Sequence, residues 1–286
     1  WTVFAALAMA ARLLADKGRT GYWAGYRGWA PSTVEWCEVN YELCSWIAEF
    51  WNSFSSLAII AAGVIGVVLS QRYGQGEMRF ILAYLAIIGV GIGSVLFHMT
   101  LLRPMQILDE VPMIYAAQVM LFCILENDTR KRKYGSLLPV ALCIHAVVVT
   151  ALVTFTSGAL QFYVFQVSFG SLELSTLALV ARSAVAETDS VARRLYFRGF
   201  AAYALALLCW ASDIHFCEFL RQMVPANPQL HAWWHVLVSC GLYTLTVAGQ
   251  HARLRVLAAD SPDGDQHAII EVICHVLPVA KLKMAR

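Results

Sequence analysis

Residues 79–99 read Arg-Phe-Ile-Leu-Ala-Tyr-Leu-Ala-Ile-Ile-Gly-Val-Gly-Ile-Gly-Ser-Val-Leu-Phe-His-Met, with eighteen uncharged residues between Arg79 and His98. A helix needs about 17–25 mostly apolar residues to cross the hydrocarbon core of a bilayer. The stretch also closes on Ser94 and His98, four residues apart and therefore on one helical face. Six further stretches of this type occupy about 46–70, 108–126, 136–155, 160–181, 196–213 and 231–249. Turn and loop sequences separate them: Arg72–Gly76, Arg130–Lys133, Thr156–Gly158 and Val224–Pro228. The sequence therefore predicts an all-α, polytopic membrane protein, a seven-transmembrane helix bundle.

Composition agrees, since 14% of the residues are charged, against about 25% in ordinary globular domains. That is too little charge to cover a water-facing surface. The net charge of +2, with no basic stripe, gives no basis for a nucleic-acid partner. Eight cysteines are scattered without a CxxC pair, which argues against a cysteine-based zinc site. The chain divides into an amino-terminal segment 1–45, a seven-span body 46–250 and a carboxyl-terminal tail 251–286. The leading apolar run Trp1–Leu14, broken by Arg12, reads as a truncated signal, an extra amphipathic helix or part of a longer segment. The stretch Ala268–Ala280 is too brief and interrupted to span, so the tail is expected to be polar, with Asp260–Gly264 at its start.

Seven spans put the termini on opposite sides. Arg72, Arg79, Arg130–Lys133, Arg193, Arg194, Arg253 and Arg255 fall on the carboxyl-terminal side, against Arg103 and Arg221 on the other. Lys and Arg mark the cytoplasmic face, so the carboxyl terminus is expected in the cytoplasm. Arg12, Lys17, Arg19 and Arg27 oppose this assignment and are outnumbered.

Ionisable groups in spans are costly and mark candidate sites. Four polar clusters fall near the non-cytoplasmic helix ends. Ser94 and His98 close the second span; a helix-end cap is the alternative explanation. Asp109-Glu110 opens the third, where carboxylates and Pro112 suit a helix start, although Asp109 equally suits the cavity beside His98. Asp213, His215 and Glu218 end the sixth; the two carboxylates read as solvated, and His215 is an alternative ligand. His231-Ala-Trp-Trp-His235 opens the seventh, with two imidazoles at i and i+4 able to share one metal. No glutamate lies between them, so the mechanism of the soluble zinc proteases does not fit. Interfacial histidines beside an aromatic belt are the competing explanation.

Three neutral imidazoles and one open position make a catalytic zinc set. His98, His231 and His235 are the expected ligands, placing zinc inside the membrane. Asp109 is then the candidate proton acceptor and Ser94 the candidate donor to a developing oxyanion. Glu35, Glu38, Asn40 and Glu49 form a second, acidic cluster before the first span. Such hard oxygen ligands suit calcium; an acidic helix cap with Glu49 in an ion pair explains them equally well.

In this order, these stretches resemble the alkaline ceramidase family: Gly21–Trp23, Glu35-Trp-Cys-Glu38 with Asn40, Ala48–Asn52, Gly93-Ser94, Phe97–Thr100, Gln106–Glu110, Pro112–Tyr115, Phe216–Glu218 and His231–His235. The resemblance covers residues 21–250. It implies zinc held by His98, His231 and His235, with Ser94 and Asp109 beside it. It further implies calcium held by Glu35, the Trp36 carbonyl, Glu38, Asn40 and Glu49; Glu35 departs from the family's usual aspartate. Cys37 and Cys217 match family cysteines able to pair, and both fall on the non-cytoplasmic side, where a disulfide persists. The implied activity is hydrolysis of the N-acyl bond of ceramide-type lipids, in the endoplasmic reticulum or Golgi membrane with the active site toward the lumen. A zinc-containing receptor of the adiponectin and progestin type is the main rival, and a metal-free transporter the second.

Overall fold

The computed structural model describes residues 21–128, 131–224, 226–259, 266–273 and 277–284. The expectations on Trp1–Leu14, Arg130 and Asp260–Gly264 lie outside the described residues. An irregular amino-terminal segment leads into seven long helices: α1 (Phe50–Tyr73), α2 (Met78–Thr100), α3 (Arg103–Leu125), α4 (Leu137–Phe155), α5 (Gly158–Ala186), α6 (Ser190–Met223) and α7 (Leu230–Ala259). An antiparallel hairpin follows, β1 (Gln266–Ile273) paired with β2 (Leu277–Met284) from Gln266↔Met284 to Ile273↔Leu277.

Among the described residues, α1 to α6 are long and apolar enough to cross a membrane. Their outward side chains have no protein partner to cover them: Phe155 is 87% exposed and Val185 88%. Apolar surface on that scale requires an apolar solvent. The protein is thus mostly helical and multi-pass. α7 is different, because it carries His231, His235, Gln250, His251 and Arg253, all buried. It packs chiefly between α6 and α1, and its polar groups face protein.

Three boundaries differ from the sequence expectation. α3 begins at Arg103 rather than near 108, because extended Leu102 and a proline in the first turn start it early. Asp109 and Glu110 therefore sit in the second turn, and Pro112 lies inside the helix. α6 starts where the Asp189 carboxylate accepts the Val191 and Ala192 N–H groups, and runs unbroken to Met223. Residues 210–218 are consequently helical rather than beyond a helix end. α7 continues to Ala259, so the segment read as a polar tail is part of the folded body.

The hairpin corrects the all-α expectation. Ile269, Ile270 and Val272 are β-branched, and eight-residue strands are too short to span as helices. β2 buries Val279 and Ala280, while Tyr243 on α7 donates to the Pro278 carbonyl at 2.8 Å.

One close approach positions the site. Pro112 has no N–H for the Leu108 carbonyl four residues earlier. A Cβ on Gly93 would fall on that carbonyl oxygen, so only glycine lets α2 lie against α3 here. Ser94 and Asp109 are thereby brought to adjoining walls. Gly93→Ala is expected to lower the unfolding midpoint in detergent by roughly 4–8 °C. Gly89→Ala, whose Cβ meets nothing nearer than Pro112 Cβ at 3.8 Å, should move it by less than about 2 °C. Equal shifts would show that the α2–α3 approach does not depend on Gly93.

Candidate functional site

The end of α2 and the start of α7 bring His98, His231 and His235 together. All three are buried, and one ligand atom from each lies within 4.8 Å of the others. The ring centroids are 5.1 Å apart for His98–His231, 5.0 Å for His98–His235 and 4.6 Å for His231–His235. Among the described residues, no other set of three His, Cys, Asp or Glu side chains meets this closely. His215, the alternative ligand, is exposed and stands apart.

The outer ring nitrogens show how the triad is held. His98 Nδ1 donates to Glu49 Oε2 at 2.5 Å. His235 Nδ1 lies 2.9 Å from Ser55 Oγ and 3.3 Å from Ser56 Oγ. With Nδ1 occupied, each ring has Nε2 left for a ligand role, the usual arrangement of metal-binding histidines. His231 stacks on Trp36, with centroids 3.6 Å apart and planes at 18°. Its Nδ1 is buried without a hydrogen-bond partner, which a ligand would relieve. Three buried imidazoles, two fixed by neighbours and one with an orphaned nitrogen, fit a metal ion.

Ser94, His231, His235 and Asp109 line one cavity, which runs on between α3, α5, α6 and α7. Past the polar end its walls are largely apolar, including Ile87, Met120, Phe165, Leu177 and Leu242, with Gln166, Glu173 and Tyr203 among them. The empty space within it, open mouth included, is ≈ 1530 Å³. A long, largely hydrocarbon ligand suits it. Ser94 Oγ is 2.9 Å from Ser56 Oγ, so its hydroxyl is already oriented from α1.

A comparison of the whole chain bears on what this cavity does. Residues 28–276 match the family model "Ceramidase". The chain belongs to the ceramidase family. Its similar relatives include alkaline ceramidase 3 of Mus musculus, 35% identical over 79% of this chain and 84% of the mouse protein. An alkaline ceramidase of Arabidopsis thaliana is 32% identical, covering 75% and 82% of the two chains. One from Saccharomyces cerevisiae is 31% identical over 82% and 80%.

Two acidic residues of this ceramidase-family chain depart from the sequence reading. Glu110 is not a helix-start carboxylate, because α3 begins at Arg103. It is buried, and it accepts from Gln106 Nε2 at 2.7 Å and from Gln161 Nε2. Gln106 and Gln161 are in turn bound to Thr33 of the amino-terminal segment. Asp213 was expected to be solvated but is buried: Oδ2 accepts from Cys37 N at 2.9 Å and Oδ1 from His231 N at 3.3 Å. It ties the amino-terminal segment to the helix start that carries two of the imidazoles. Its spacing from Cys217, one helical turn, was the available signal. Cys37 and Cys217 are disulfide-bonded, with Cα atoms 5.4 Å apart.

In the acidic cluster, Glu38 accepts from Trp51 N at 2.7 Å and Asn52 N at 2.9 Å, capping α1 from a distance. Burial pushes its carboxyl up to about 7, against these two hydrogen bonds. Asn40 Nδ2 donates to Glu35 Oε1 at 3.2 Å, and Asn40 Oδ1 is buried without a hydrogen-bond partner. Glu49 is shared, since Oε1 accepts from Trp36 N while Oε2 takes Asn52 Nδ2 and His98. The orphaned amide oxygen and the Glu35 carboxylate bonded to Asn40 are oxygen donors of the kind a hard cation takes, but Glu35, Glu38 and Glu49 do not converge as the imidazoles do.

Purified protein is expected to carry one transition-metal ion per chain by mass spectrometry of the elements. His98→Ala, His231→Ala and His235→Ala should each reduce that at least about tenfold, and His215→Ala should not. Unchanged metal in the three variants would remove the triad as a ligand set.

Proposed function

We propose that this chain is a zinc-dependent amidase working inside the membrane, hydrolysing the N-acyl bond of ceramides to a sphingoid base and a free fatty acid. One observation carries the reading: three buried imidazoles meet at the polar end of a long apolar cavity, with Ser94 and Asp109 on adjoining walls. Membership of the ceramidase family supports the substrate class.

His98, His231 and His235 would hold the zinc. When bound, zinc supplies a Lewis acid and makes a water acidic enough to lose its proton near neutral pH. Asp109 accepts the proton from the attacking water and returns it to the departing amine nitrogen, since an amide expels a neutral amine far more readily than its anion. Ser94 donates its hydroxyl to the carbonyl oxygen as negative charge develops there. Glu49, Ser55 and Ser56 keep the two rings they bond from turning. The apolar walls hold the hydrocarbon chains and keep water from the rest of the substrate.

We also propose that α7 crosses the membrane as a seventh span, screened from lipid by its neighbours, with the carboxyl terminus cytoplasmic. The excess of Lys and Arg on that side supports this, as does a disulfide on the opposite side. An endoplasmic reticulum or Golgi membrane suits both. Calcium is assigned to Glu35, the Trp36 carbonyl, Glu38, Asn40 and Glu49. Because Glu49 also bonds His98, a cation there would stiffen the roof over the zinc.

Mass-spectrometric analysis of long-chain ceramide with purified protein should show stoichiometric base and fatty acid. His231→Ala and Asp109→Ala should each lower kcat at least about 100-fold. Full hydrolysis by both variants would defeat the site assignment, and intact ceramide with wild type would favour a receptor. Calcium chelation, or Glu35→Ala, should lower activity while zinc stays bound; simultaneous zinc loss would assign the acidic cluster to folding instead.

A further inference from the structure

We infer that Glu110 determines head-group specificity by accepting a hydrogen bond from the primary hydroxyl of the sphingoid base, an inference that rests on the amide-hydrolase reading above. Glu110 lines the same cavity as Ser94, Asp109, His231 and His235, but the proposed chemistry leaves it without a task. It is one residue beyond Asp109, about 100° further round the helix. The two carboxyls therefore face different parts of the cavity.

Its surroundings are built to hold it still. Gln106 Nε2 and Gln161 Nε2 each donate to one carboxyl oxygen. Gln106 is fixed in turn: its Oε1 accepts from Thr33 N at 2.8 Å, and its Nε2 lies 2.7 Å from Thr33 Oγ1. The Thr33 hydroxyl donates to Gln161 Oε1 at 2.7 Å. A carboxylate offers about four acceptor positions, so two named donors leave capacity for a third. A buried carboxyl is costly to keep in an apolar bundle. Both amide donors orient it, and it lines the cavity that takes substrate.

The orientation of the substrate selects the hydroxyl. With the amide at the histidines, both hydrocarbon chains follow the apolar walls toward Met120, Leu177 and Leu242. The hydroxymethyl group is carried by the carbon that bears the amide nitrogen, so it stays beside the amide. It is held at the polar end of the cavity, where Glu110 lines the wall with Gln106 and Thr33 bonded behind it. The hydroxyl donates its proton to Glu110, and no bond is made or broken.

The test compares ceramide with 1-deoxyceramide, which has a methyl in place of the hydroxymethyl group. Wild type should favour ceramide in kcat/KM by about 10- to 100-fold, the value of one hydrogen bond to a charged group. Glu110→Met should bring the two substrates within about threefold, chiefly by slowing ceramide. Both rates come from one preparation, so partial misfolding cancels from the ratio. If Glu110→Met lacks turnover, thermal-shift binding of sphinganine and 1-deoxysphinganine reads the same preference; only wild type should favour sphinganine. A preserved preference in Glu110→Met would overturn the inference, as would equal use of both substrates by wild type. If wild type hydrolyses neither, the hydrolase reading itself fails.

Discussion

Polar groups sealed inside an apolar bundle must satisfy one another, because no water is present to do it. The three imidazoles set this demand at its most severe, and the structure around them is arranged to meet it. Glu49 takes the outer nitrogen of His98, and Ser55 and Ser56 take that of His235. Asp213 fixes the start of α7 through His231 N. These groups sit at the start of α1 and on α6, while the imidazoles are on α2 and α7, so holding the triad also holds α1, α2, α6 and α7 in register. The same constraint explains Glu110, whose carboxyl is oriented by two side-chain amides.

The amino-terminal segment is part of this arrangement rather than an appendage. Thr33 joins α3 to α5, Trp36 covers His231, Cys37 is fixed to α6, and Glu38 caps α1. It closes the polar end of the cavity, while the apolar part stays among the helices. The separation suits a lipid amide, since the hydrolysable group and the hydrocarbon chains require different solvents.

Much of this was legible in the sequence. Apolar runs gave the long helices, because a lipid-facing helix must be apolar along its whole length. The i and i+4 spacing gave His231 and His235, and Ser94 and His98 followed in the same way. Helix extents were less legible, because a polar residue in a last turn reads like a loop. Asp213 looked solvated for that reason, yet it meets residues far away in sequence that no local pattern reports. Glu110 was masked by a plausible local role: Asp-Glu before a proline suits a helix start, but α3 had begun earlier at Pro104. The hairpin went unread because its apolar run was weighed only as a possible span.

The roof over the imidazoles imposes an order on biosynthesis. Its anchors come late in the chain: Gln161 is 128 residues after Thr33, Asp213 follows Cys37 by 176, and Asn227 by 190. At about 5–20 residues per second, the ribosome needs roughly 10–40 s between making Cys37 and making its last partners. Throughout that interval the first polar segment can bond to α1 and α3 but lacks its partners on α6 and beyond, and the Cys37 thiol is open to other oxidants or thiols. Only when α7 is inserted do the two ends meet. A nascent chain interrupted before then has most of its membrane-spanning mass and only one of its three imidazoles.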